Sequence, residues 1–203
     1  MKKTISIALV LMLALLSSVW AFADTGTPDY SQWNSQAAYP SDIVNTKYFT
    51  AVKELVNKGV ISGYDDGLFH PERSVTRAEM AKMLIIITNN TGNMAMYKNN
   101  NTFNDLSGYS WAQDYINTAA GLGFIKGDGN GKFNPGGAVT YAEAMTMIVR
   151  LLDQVNDSDL PGTWPNNYIN YVNTYGRASN ITVTDWNAAA TRGDIALVLY
   201  RNV

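Results

Sequence analysis

Gly63-Tyr-Asp-Asp-Gly-Leu-Phe-His-Pro-Glu-Arg-Ser-Val-Thr-Arg-Ala-Glu79 returns 64 positions later as Gly127-Asp-Gly-Asn-Gly-Lys-Phe-Asn-Pro-Gly-Gly-Ala-Val-Thr-Tyr-Ala-Glu143. Gly63, Gly67, Phe69, Pro71, Val75, Thr76, Ala78 and Glu79 keep their identity in that register, and a worn third copy ends in Thr191-Arg-Gly-Asp194. Matches at one fixed spacing mark a repeat protein. Within the stretch, Gly and Asp supply the turn conformations of a tight loop. A lone Phe in that loop (Phe69, Phe133) is expected to plug into the core. Thr76-x-x-Glu79 and Thr140-x-x-Glu143 are capping boxes that open helices, with Thr191-x-x-Asp194 as a shorter version. In such a box the Thr oxygen accepts from the amide three residues on, and the acid reaches back to the Thr amide.

Outward from the boxes, the apolar spacing predicts a second helix in each unit. Met80, Met83, Leu84 and Ile87 stand at i, i+3, i+4, i+7; Met147, Ile148 and Leu151, then Ile195, Val198 and Leu199, take the same places. Ahead of each loop the spacing predicts a first amphipathic helix, over about residues 47–58 and 111–120, and again after Trp164. Gly59, Gly123 and Gly176 fall where a left-handed residue ends a helix. An Asp precedes each first helix: Asp42, Asp105 and Asp159. A helix–loop–helix of about 50 residues cannot cover its own apolar faces, so the units are expected to share a core.

The ends and joints follow from composition. Residues 1–23 carry a basic start, an apolar stretch from Ile5 to Leu16 and Ala21-Phe-Ala23, the pattern of a cleaved signal peptide. Its removal leaves 180 residues with 13 basic and 17 acidic side chains, an acidic balance that excludes nonspecific nucleic-acid binding. No further stretch is apolar enough to span a bilayer after signal cleavage. Cysteine is absent, which removes disulfides, a thiol nucleophile and Cys metal sites. The expected organisation is signal peptide 1–23, flexible leader 24–38, repeat one 39–88, linker 89–102, repeat two 103–152, linker 153–158 and a degenerate repeat three 159–203.

Gly63-Tyr-Asp-Asp-Gly-Leu-Phe-His-Pro, Thr76-Arg-Ala-Glu79, Phe103-Asn-Asp-Leu and Trp111-Ala together resemble the S-layer homology (SLH) family over residues 39–203. The resemblance implies an all-α fold: three helix–loop–helix repeats in a pseudo-threefold arrangement around a central helical bundle. It also implies a secreted, noncatalytic module of the bacterial cell wall or S-layer. Grooves between repeats would bind a pyruvylated secondary cell-wall polysaccharide linked to peptidoglycan; other surface proteins stay open as partners, and no cofactor or metal is expected.

The glycan-binding candidates are Arg77, Arg192, Asp42, Asp105, Trp111, Trp164, Tyr64 and Tyr141. Arg77, at the first position of its helix, is expected to point into solvent and to hold a ligand carboxylate with both arms of its fork, helped by the first-turn amides. Arg192 is the second such cation, whereas repeat two has Tyr141 there, either a sugar-stacking ring or a plain surface residue. The Asp residues are expected to cap first helices or to bond sugar hydroxyls, and Trp111 and Trp164 to serve as sugar platforms or core wedges. Thr76, Glu79, Thr140, Glu143, Thr191 and Asp194 are assigned to helix capping.

Asp128-Gly-Asn130-Gly-Lys132 begins like a calcium loop but has Lys132 at position five and Val139 at position twelve, so it reads as a turn. His70 is the one His, and no spacing of carboxylates argues for glycoside hydrolysis. The competing functions are a self-assembling surface protein that binds no glycan and an enzyme acting on wall glycans.

Overall fold

The computed structural model describes residues 39–203; the expected signal peptide and leader lie outside them. The described residues are helical, with α1 Phe49–Asn57, α2 Arg77–Ile87, α3 Met94–Tyr97, α4 Ser110–Gly121, α5 Tyr141–Asp153, α6 Asn166–Thr174 and α7 Arg192–Asn202. Strand-type pairing among the described residues appears only as isolated bridges, Ser74 with Thr191, Thr76 with Ala138 and Thr140 with Ala189. No helix among the described residues is long and apolar enough to cross a membrane.

The helix starts show why these residues fold this way. Thr76 Oγ1 accepts from the Glu79 amide at 3.2 Å, and the Thr76 amide donates to Glu79 Oε2 at 2.7 Å. Thr140 and Glu143 form the same reciprocal pair at 3.2 and 2.9 Å. Thr191 accepts from the Asp194 amide at 3.2 Å. Asp194 is one methylene shorter than Glu, and its carboxylate turns instead to the Tyr141 hydroxyl at 2.6 Å. Thr76→Ala is therefore expected to lower unfolding free energy by about 1 kcal/mol, the ordinary contribution of an N-cap. Urea melts of the variant beside the parent protein check this; unchanged melts would deny the cap its role.

Three backbone bonds close a ring through the residues just before the caps. The Val75 amide donates to the Ala190 carbonyl at 3.0 Å, Ala190 to Val139 at 2.8 Å, and Val139 to Val75 at 2.9 Å. One residue after each cap a second ring runs in the opposite sense, where Arg77 donates to Gly137, Tyr141 to Ala188 and Arg192 to Arg73. The helices follow it too. First helix α4 packs on α2 of the unit before it, α6 packs on α5, and α1 returns to α7. Each helix pair that buries an apolar face is thus shared between two units. Chain neighbours in one unit do not complete their own core, which is why the repeats cannot stand alone.

The core lies along α2, α5 and α7, through Met80, Leu84, Met145, Ile148, Ile195 and Leu199. Phe69 and Phe133 are fully buried plugs between loop and helices. The linker over 89–102 is more structured than its Asn content suggests. It holds a 3-10 turn at Asn90–Asn93 and then α3, which packs on α4. Gly121 on α4 makes that approach feasible, because a Cβ there would run into the Tyr97 ring.

Candidate functional site

A groove of about 750 Å³ opens where all three units meet. Repeat one contributes Arg77, repeat two its loop from Lys126 to Asn134 with Asp105 and a face of α5, and the chain after α5 contributes Asp157 and Trp164.

Arg77 is not where the sequence suggests. Its side chain is buried, 9 % exposed, and all three guanidinium nitrogens are engaged. Nε donates to the Phe133 carbonyl at 2.7 Å, NH2 to the Lys126 carbonyl at 2.8 Å, and NH1 to Glu143 Oε1 at 3.0 Å. The guanidinium also lies over the Phe133 ring, 4.6 Å from its centroid. Burial pulls its pKa below the ordinary arginine value, against the opposing pull of Glu143 and Asp105. The physical reason is the cyclic order of the fold. The start of α2 faces the neighbouring unit's loop, so Arg77 serves the Gly-rich loop of repeat two and not the one beside it in sequence.

Arg192 repeats the device one unit round. It is 5 % exposed, and it donates from Nε to the Phe69 carbonyl at 3.1 Å and from NH2 to the Ser62 carbonyl at 2.6 Å. Its NH1 stands 3.7 Å from Glu79, and the guanidinium covers the Tyr64 and Phe69 rings. Burial lowers its pKa as well, with Tyr64 and Glu79 working against that. Tyr64 itself donates to Glu79 Oε1 at 3.5 Å.

Tyr141 is the third member of the set and is neither a surface ring nor a stacking platform. It is buried, and its hydroxyl meets Asp194 where the other units have an Arg–Glu pair. Burial, then that hydrogen bond, raises its pKa. The first-turn amides also differ from expectation as an anion site. In each helix the first two donate to the neighbouring unit's carbonyls and the third goes to its Thr cap: Arg77 to Gly137, Ala78 to Pro135, Glu79 to Thr76. No donors of that turn remain aimed outward.

Asp42 and Asp105 cap loops rather than first helices, while Asp159 accepts from the Asn156 amide at 2.8 Å on the 3-10 turn before α6. Asp42 accepts from the Phe69 amide at 3.1 Å and the His70 amide at 2.6 Å. Asp105 accepts from Phe133 at 2.9 Å and Asn134 at 2.7 Å. Burial pushes the Asp105 pKa up, but these amide bonds outweigh it and hold it below the usual value. Such a carboxylate fixes the loop tip against its own unit, 28 residues away, and leaves the side of the loop facing the groove.

Trp164 lines the groove and is not a buried core wedge. Its ring is 51 % exposed on the groove, and Nε1 donates to Thr146 Oγ1 at 3.1 Å, which orients it. Trp111 is 40 % exposed, with Lys82 Nζ 6.0 Å from its ring centroid.

Three groove residues, Lys126, Arg150 and Asp157, and the buried Tyr168 behind them escape a reading of the sequence. Arg150 is buried, with NH2 donating to Asp157 Oδ1 at 2.6 Å and Nε to the Tyr168 hydroxyl at 3.2 Å. One signal was available. Arg150 stands on the apolar stripe of α5, between Met147 and Leu151, where a charge must find a partner. Asp157 and Tyr168 offered no comparable signal, because a linker and a helix have no fixed spacing.

Residues 41–81 and 102–145 match the family described as S-layer homology domain. The chain is 32 % identical over 199 residues to the middle cell wall protein of Brevibacillus brevis, covering 98 % of this chain and 18 % of that protein. It is 32 % identical to the surface layer protein of Brevibacillus choshinensis, covering 83 % of this chain and 14 % of the relative. With the cell surface protein of Thermoanaerobacter kivui it shares 30 % identity over 96 % of this chain and 24 % of the relative. The chain thus spans less than a quarter of the length of each of these proteins. The two matched segments, which bring Arg77, Asp105, the loop from Lys126 to Asn134 and Glu143 to the groove just described, belong to the S-layer homology family.

Proposed function

We propose that the chain is a noncatalytic carbohydrate-binding module of the bacterial cell surface, attached to the wall by a pyruvylated secondary cell-wall polysaccharide. The glycan lies in the groove between repeats. The observation that carries this reading is the groove itself. It combines an exposed, oriented Trp164 with buried cations and a wall rich in charged and polar side chains, an aromatic platform beside groups that can bond sugar hydroxyls. Relatives named for the cell wall, the surface layer and the cell surface agree with it. Arg77 acts here as the post that holds the groove wall, and Arg192 does the same for the loop of repeat one, since their donors are already used. Asp42 and Asp105 set the loop tips in the same way.

Pulldown with purified wall sacculi tests the proposal. The protein is expected to bind intact sacculi and to lose at least about tenfold in affinity, about 1.4 kcal/mol, once the accessory polysaccharide is stripped. Equal binding to both would reassign the ligand to peptidoglycan. No binding to either, with self-association in solution, would favour a self-assembling surface protein.

A further inference from the structure

Asp157 differs from the other carboxylates of the groove. Asp105, Asp128 and Glu143 all accept backbone amides within their own repeat. The bonds to Asp157 come from side chains: Lys126 Nζ donates to Oδ2 at 2.7 Å, Arg150 NH2 to Oδ1 at 2.6 Å, and the Tyr168 hydroxyl to Oδ1 at 2.8 Å. Burial would raise its pKa, but Lys126, Arg150 and Tyr168 hold it well below the carboxylate range. Asp157 is half-exposed and sits on the 3-10 turn Asp157–Asp159, after α5 has ended. It can leave without unwinding a helix.

Two cations and a hydroxyl converging on two oxygens is carboxylate recognition chemistry. The arrangement is specific to this groove, because Ser62 and Ile86 stand 64 positions before Lys126 and Arg150. Four basic side chains face four carboxylates along the groove walls, so an incoming anion meets no net attraction unless one carboxylate gives way. Exchange of one carboxylate for another keeps buried Arg150 paired throughout, which avoids the cost of a stranded charge.

We propose that Lys126, Arg150 and Tyr168 form a carboxylate-binding subsite that Asp157 fills until a carboxylate-bearing sugar replaces it. The inference rests on the groove being a glycan site and names the group it selects. Asp157 acts as an internal competitor, lowering apparent affinity by the fraction of time it holds the site.

Thermal melts of Asp157→Ala in sodium pyruvate, against equal sodium chloride, test the subsite directly. Pyruvate is expected to raise the melting temperature of Asp157→Ala, to leave the parent protein unmoved, and to lose its effect when Arg150→Gln is added. Asp157→Asn, which keeps the shape, gives the same comparison if the alanine variant does not fold. In the sacculus assay Asp157→Ala is expected to bind about tenfold tighter, about 1.4 kcal/mol. A variant indifferent to pyruvate, or a parent protein equally responsive, overturns the inference. Pyruvate rescue without any binding of parent protein to sacculi defeats the wall-glycan reading and keeps the subsite. Sacculus binding with neither rescue nor gain does the reverse.

Discussion

Arg77→Ala is expected to destabilise the protein by about 3 kcal/mol, within the range for breaking a buried ion pair. The substitution strands the buried Phe133 carbonyl, at a cost of about 1–3 kcal/mol for an unpaired buried acceptor, and removes the part-buried bond to the Lys126 carbonyl. Glu143 softens the loss, since it is part-exposed and water can replace NH1. Arg77→Lys is expected to recover only a minor part, because an ammonium cannot reach two carbonyls and a carboxylate in the fixed geometry of the fork. Loss of wall binding should follow loss of structure in this variant. Urea unfolding and sacculus binding measured on the same preparations check the order of events. A stable, folded Arg77→Ala that fails to bind would return Arg77 to direct ligand contact.

Trp164→Ala is expected to show the opposite pattern, weaker wall binding by about thirtyfold with little change in stability. Truncating a central Trp anchor commonly removes about 2 kcal/mol of binding free energy. About half of its surface is already in water, so the loss of folding free energy should stay under about 1.5 kcal/mol. Trp111→Ala is the internal control, with a smaller binding loss expected. Its ring stands beside Lys82 and does not line the groove. Titrations with sacculi beside melting curves for both variants decide it, and unchanged affinity for Trp164→Ala would remove the groove from the binding surface.

These two residues show where the sequence speaks and where it stops. The 64-residue register, the Thr–x–x–Glu boxes and the i, i+3, i+4 stripes are local patterns, and local backbone chemistry dictates what they form. The helices and their starts at Thr76, Thr140 and Thr191 are accordingly legible from the chain alone. So is the family, because its motifs lie within single loops. The exposed Trp164 could be named as a candidate, but its tether to Thr146 in the groove could not.

The cyclic order of the units was beyond that reach. Nothing near Arg77 in sequence says that its helix points at the next unit's loop, and that single fact turns an expected surface clamp into a buried post. Tyr141 follows the same logic: its surroundings are set by Asp194, 53 residues on, where a side chain one methylene shorter leaves room for a phenol. The Lys126–Arg150–Tyr168 cluster likewise assembles around Asp157 from parts of the chain that share no spacing rule. Periodic apolar spacing determined the elements and their shared core; the tertiary structure alone decided which charges are buried, because burial depends on which unit each helix start meets.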